Sequence, residues 1–189
     1  LGGGIMANYT QKNGVWVEGF LHGGRAKSDY SGSVYTGTVS TYDGSSSYYA
    51  AHLGVGKETR VHRKDTLNTY LRYFYSHQAG MHATLNTGED YTFDSVNSHR
   101  LRLGMRYSHK DSVYSQVYAG LAFEYDGEAR ASFQGYNTPS PSLKGASGML
   151  ELGYRFIPKN GRVSYELNLT GWQGRREGIS GGAQVKWMF

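Results

Sequence analysis

Apolar and polar residues alternate with a period of two along most of this chain, and that period predicts long β-strands. The clearest case puts Leu101, Leu103, Met105 and Tyr107 on one face and Arg100, Arg102, Gly104 and Arg106 on the other. The same pattern sets Val15, Val17 and Leu21 against Trp16, Glu18, Phe20 and His22, and Tyr49, Ala51, Leu53 and Val55 against Ala50, His52, Gly54 and Gly56. It continues with Leu71, Tyr73 and Tyr75 against Tyr70, Arg72 and Phe74, and with Val113, Val117, Ala119, Leu121, Phe123 and Tyr125 against Tyr114, Gln116, Tyr118, Gly120 and Glu124. Leu150, Leu152, Tyr154 and Phe156 then oppose Glu151, Gly153 and Arg155, and Val163, Tyr165, Leu167 and Leu169 oppose Ser164, Glu166, Asn168 and Thr170. The last stretch, Gly181 to Phe189, places Val185, Trp187 and Phe189 on one face and Gln184, Lys186 and Met188 on the other. With a weaker strand over Ile5 to Gln11, the count is about nine.

The connections alternate in length. Short turns are expected near 12–14, 62–66, 109–112 and 158–161, two of them carrying Asn-Gly, a strong hairpin signal because both residues tolerate positive φ. Long polar loops are expected at Arg25–Ser47 (with strand-like extensions at its ends), His77–Asn97 and Asp126–Gly145, with a brief loop through Gly174 to Glu177 before the final strand. Hairpins of this kind imply an all-β, antiparallel fold in one domain spanning 1–189.

Two features bear on what surrounds the barrel. The strands reach about ten residues, beyond the roughly 5–6 usual in soluble sandwiches, and aromatics end the apolar stripes at Tyr107, Tyr125, Tyr154, Phe156, Trp187 and Phe189. That is the girdle pattern of a transmembrane β-barrel, whose charged face lines a wet lumen. On that reading Glu18, Arg72, Arg102, Arg106, Glu124, Glu151, Arg155, Glu166 and Lys186 are lumen-lining. A soluble ligand-binding barrel with its charges outward is the competing possibility, and the residues alone leave it open. The mean hydropathy of −0.58 fits either, because a spanning strand alternates lipid-facing and lumen-facing residues. In lipid the sheet must close, since each unpaired backbone group there costs several kcal/mol. An odd strand count therefore suggests that strands precede Leu1 and that the chain is truncated.

Composition narrows the chemistry. The abundance of Tyr (17) and Gly (27) with only 3 Pro favours strands over helices. With 0 Cys there is no disulfide framework and no thiolate chemistry. The net charge of +5 is scattered rather than clustered, which argues against nucleic acid. No metal-ligand spacing joins the seven His; the pair His77 and His82 is the nearest, and Gly88-Glu89-Asp90 with Asp94 does not follow a known Ca²⁺ loop. Gly2-Gly3-Gly4 precedes no helix, so it is not a phosphate cradle. No metal, cofactor or catalytic residue is expected.

The order of motifs resembles the C-terminal β-barrel (translocator) domain of autotransporters, the type V secretion proteins. The matching stretches are NGVWVEGFLHGGRAKSDY, YYAAHLGVGKE, LRYFYSHQAG, SHRLRLGMRYSH, VYSQVYAGLAFEYDGEARASF, LELGYRF and GISGGAQVKWMF. The resemblance implies a twelve-stranded barrel, of which this chain would be the C-terminal portion, and a non-enzymatic role in exporting an N-terminal passenger to the cell surface. It also implies the Gram-negative outer membrane as location, and as partners that membrane's lipid, the barrel-assembly machinery and the chain's own passenger. Val185, Trp187 and Phe189 match the family's terminal assembly signal, although Gln184 stands where that signal often has glycine. Some family members cut their own linker with lumenal acidic residues. Here Glu124, Glu151 and Glu166 are candidates for that, and charge-paired pore lining is their expected role. A different possibility is an adhesin or rim-type protease built on the long loops, with His82, Asp90, Asp94 and His99 on the loop side.

Overall fold

Nine long antiparallel strands form one sheet in the computed structural model, which describes residues 1–33, 39–84, 86, 88, 90–127, 133–134, 144–159 and 161–187. They are β1 (Gly2–Thr10), β2 (Val15–Ser33), β3 (Val39–Arg60), β4 (Asp65–Gln78), β7 (Val96–His109), β8 (Ser115–Asp126), β10 (Gly145–Phe156), β11 (Val163–Gly174) and β12 (Gly178–Trp187). Each pairs with its neighbour in that order. Three short strands, β5 (Met81–Thr84), β6 (Asp90–Phe93) and β9 (Phe133–Gln134), make a separate small sheet from two of the long connections. All regular structure among the described residues is β-strand, and the large sheet curls into a half-barrel.

Register fixes which side chains share a face. Leu71 is opposite Leu103, Leu103 opposite Phe123, Leu121 opposite Leu150, and Leu152 opposite Leu169, so one face is continuously apolar across five strands. Arg72 opposite Arg102, Arg102 opposite Glu124 and Arg155 opposite Glu166 fall on the other face. The charged face is the concave one. Arg72 on β4 reaches Glu18 on β2 at 2.8 Å, and Arg106 on β7 reaches Glu151 on β10 at 2.7 Å, each passing over an intervening strand. Strands two apart are separated by about 10 Å at the backbone, so such contacts form readily only where curvature brings the side chains together.

The short turns lie at one end. Gly14 closes the first with a φ of 85° and a 3.0 Å bond from its N–H to the Gln11 carbonyl, a conformation glycine adopts without cost. Gly161, with φ 64°, plays the same part before β11, while Asn160 beside it lies outside the described residues. The turns at 61–64 and 110–114 fall at this end too, and the second takes in Val113 and Tyr114, expected in the next strand, so that β8 begins only at Ser115.

The long connections are more ordered than their polar composition implies. Most of the loop expected at Arg25–Ser47 is a hairpin: β2 and β3 stay paired from Arg25 opposite Ser47 out to Ser33 opposite Val39. Ser, Thr and Tyr support pairing without any apolar face, so a backbone ladder extends where hydrophobic alternation has stopped. Within the second connection β5 pairs with β6, and β6 pairs with β9 of the third.

Candidate functional site

The concave face carries a chain of ion pairs, because period-two alternation puts Arg100, Arg102 and Arg106 of β7, Glu124 and Asp126 of β8, Glu151 and Arg155 of β10 and Glu166 of β11 on one side of the sheet. At its centre Glu124 is 0% exposed, with Asp126 at 3% and Glu151 at 8%, while on the opposite face Leu103, Leu121 and Leu167 are about 60% exposed (60%, 59% and 58%). Charges are inside and leucines outside, the reverse of a protein folded against water.

Arg102 donates from Nε to Glu124 Oε2 at 2.6 Å, and Arg100 from Nε to Asp126 Oδ1 at 3.0 Å. Arg176, in the turn between β11 and β12, lies 3.6 Å from both Glu124 and Asp126 and donates its backbone N–H to Ser147 Oγ at 2.8 Å. Lower on the face Arg106 grips Glu151 through two bonds, Nε to Oε1 at 2.7 Å and Nη2 to Oε2 at 2.8 Å. Tyr118 and Arg155 both donate to Glu166, at 2.8 Å from the hydroxyl and 2.8 Å from Nη2. The Arg106 guanidinium also lies over the Tyr118 ring, 4.4 Å from its centroid, which joins the two pairs into one network.

A second group sits on β2, β3 and β4. Arg72 donates to Glu18 and lies over the rings of Tyr70 and Trp16, at 4.5 and 5.5 Å, and Trp16 Nε1 donates to Asn68 Oδ1 at 2.8 Å. His52 Nε2 is 3.1 Å from the same Glu18 oxygen, and its ring stacks on Phe74 at 4.6 Å. Period alone marked Glu18, Arg72 and Arg102, but the partnership of Tyr118 with Glu166, and the part played by Asp126, Ser147 and Arg176, depend on strand neighbours and had no separate sequence signal. Lys186 lies on the same side of β12, exposed and opposite Ser164.

Glycines make room for rings, as Gly56 does for Trp16. A Cβ on Gly104 would come within 2.6 Å of the Tyr70 ring, and one on Gly153 would overlap the Tyr118 ring. Tyr118 fills that space and so presents its hydroxyl to Glu166.

A carboxylate that serves as acid, base or nucleophile needs a free edge toward a substrate. Glu151 and Glu166 instead have their oxygens occupied by Arg106, Arg155 and Tyr118. Three of the residues weighed for a rim protease have partners of their own. His82 pairs with Thr92 and Asp90 with Thr84 within one small hairpin, whereas His99 bonds Tyr73 on the convex face of the large sheet. No group of three potential metal ligands occurs among the described residues, and Glu89 lies outside them. Val185 and Trp187 lie on the apolar face of β12, opposite Tyr165 and Val163; Phe189 lies outside the described residues.

A search of curated proteins found none that matches this chain. The family model described as Autotransporter beta-domain matches residues 1–170, from before β1 into β11. By a match covering nine-tenths of its length, and with the all-β half-barrel that this family's pattern implies, the chain belongs to the autotransporter β-domain family.

Proposed function

We propose that this chain is the outer-membrane translocator barrel of an autotransporter, supporting export of an N-terminal passenger to the cell surface. The observation that carries the reading is the inversion of polarity: a face rich in leucine and aromatic residues points outward while Glu124 and Glu151 are buried and paired inside. Lipid suits the first and a wet lumen the second. Arg72, Arg102, Arg106, Glu124, Glu151, Arg155, Glu166 and Lys186 line that lumen. Pairing keeps its wall polar without a strong net field, so a passing polypeptide of either charge meets no deep trap. The barrel is a conduit and not an enzyme. Its partners are the lipid around it, the barrel-assembly machinery that inserts it, and its own passenger; Val185, Trp187 and Phe189 form the terminal signal that the machinery reads.

The test uses cells producing the natural full-length protein. The barrel resists urea extraction and shifts on gels with heating, and protease added to intact cells digests sequence N-terminal to Leu1 while the strands survive. Extraction by urea overturns the membrane reading. Protection of the upstream sequence, in a barrel that is correctly inserted, overturns export.

A further inference from the structure

The convex face is not uniformly apolar. At the long-loop end of β2, β3, β4 and β7 it carries a polar aromatic cluster that neither pore lining nor strand pairing uses. Tyr49 stacks on His77 with ring centroids 4.7 Å apart and lies 5.9 Å from Tyr75. Tyr75 donates to Asn97 Oδ1 at 3.0 Å, and His77 Nδ1 shares that oxygen at 2.8 Å. Tyr73 and His99 meet at 2.7 Å. On the adjoining strand Arg25 is opposite Ser47, hence diagonal to Tyr49 on the same face, and Lys27 follows one step further out; both are exposed. No carboxylate occurs among the described side chains of this cluster; those of Asp29 and Asp43, in the next row out, lie outside the described set.

Directly beneath the cations the surface is notched. Gly3 pairs with Gly23 and Ile5 with Leu21, and Leu21 faces Ala51, so small residues floor a groove walled by Ile5, Leu21, Tyr49 and Tyr75. It is a shallow depression, open to its surroundings, with a volume of about 530 Å³. An apolar groove that runs along β2 toward Arg25 and Lys27, beside a fan of hydroxyl, imidazole and amide groups, suits one kind of molecule. It must be amphipathic, with a hydrocarbon chain, an anionic group and many hydroxyls.

We infer that this patch docks a phosphorylated glycolipid of the surrounding leaflet, its acyl chain in the groove, its phosphate at Arg25 and Lys27, and its sugar hydroxyls against Tyr49, His77 and Asn97. The inference rests on the membrane reading above. An anionic glycerophospholipid would satisfy the cations but would leave the hydroxyl-rich rim with little to bind, so the sugar is the discriminating part.

The groove can be closed without disturbing the fold. A Cβ at Gly3 meets nothing within 4 Å, so Gly3→Leu fills the channel from an open position. Gly171, on the same face of β11 and equally open, gives the control Gly171→Leu. Full-length protein and the variants are reconstituted in vesicles containing phosphatidylethanolamine, phosphatidylglycerol and lipid A, then extracted in mild detergent. The lipids that stay bound are quantified by mass spectrometry. Lipid A is expected to be retained over phosphatidylglycerol by the natural protein and by Gly171→Leu. Gly3→Leu loses it, and Arg25→Ala and Lys27→Ala lower it roughly five-fold each, in line with the worth of one basic residue at an anionic surface. Equal retention in all variants, equal loss in all, or a preference for phosphatidylglycerol overturns the inference while leaving the barrel in its bilayer. Recovery of the protein without detergent would instead remove the membrane reading itself.

Discussion

At the scale of single residues, the two faces should answer oppositely to the same substitution. Leu103 is in the middle of the apolar face, and an arginine there is expected to cost about 2–4 kcal/mol at the bilayer midplane. Introducing Cys at Leu103, Leu121 and Leu167 and at Arg102, Glu124 and Glu166 checks the orientation: a membrane-impermeant thiol reagent labels only the second set, and equal labelling refutes it. The concave face is sensitive to volume in its own way. Gly153→Ala forces the Tyr118 ring out of its slot and breaks the bond to Glu166, an overpacking cost of about 1–3 kcal/mol. Denaturant unfolding should show that loss, and pairing the change with Tyr118→Ala, which empties the slot, should recover part of it.

At the scale of elements, the short-turn rim holds a titrating latch. His109, ending β7, hydrogen-bonds Asp65, beginning β4, at 2.6 Å, and the Asp65 carbonyl also anchors the 61–64 turn through the Val61 N–H. The hydrogen bond from His109 holds the Asp65 carboxyl below the usual carboxylate range. A depressed folded value means that the latch contributes fully above the ordinary carboxylate pKa and is lost as pH falls through the lowered one. A carboxyl NMR titration should therefore find Asp65 ionised to lower pH than the ordinary carboxylates, and His109→Ala should return it toward their range. An ordinary value in the unsubstituted protein would mean that the contact is not kept in solution. The β2–β3 hairpin behaves differently. Past its apolar residues it continues as a backbone ladder, tied to the next connection where Ser46 Oγ donates to the Ala79 carbonyl at 2.7 Å and the Thr41 N–H to Asn86 Oδ1 at 3.2 Å.

At the scale of the whole molecule, the end of the chain is where insertion and stability come apart. β12 is held by β11 through ten paired positions from Trp172 opposite Gly178 to Val163 opposite Trp187. Deleting Phe189 removes a single ring, about 1–3 kcal/mol of apolar burial, against a sheet stabilised by eight strand pairings. Low outer-membrane abundance with near-normal heat resistance of the inserted molecules is the expected outcome. It is measured by comparing membrane levels and gel-shift stability with those of the unaltered protein. Unchanged abundance would mean that the last residues are an ordinary strand end.

The sequence by itself determined the strands, their alternating connections and the face each residue occupies. Period two is a property of the extended backbone, so Arg102 and Glu124 were assigned to one side, and Leu103 and Leu121 to the other, without knowledge of any partner. What only tertiary structure decided is who meets whom. Arg106 reaches Glu151 and Tyr118 reaches Glu166 because register and curvature bring strands two apart into contact, and neither is written in local spacing. The Arg25–Ser47 hairpin was legible as a loop with strand-like ends but not in its full extent, since its pairing rests on main-chain hydrogen bonds that every polar residue can make. The small sheet of β5, β6 and β9 joins segments about forty residues apart in the chain, a distance at which side-chain pattern carries no signal and only the pairing of two separate long connections supplies the contact.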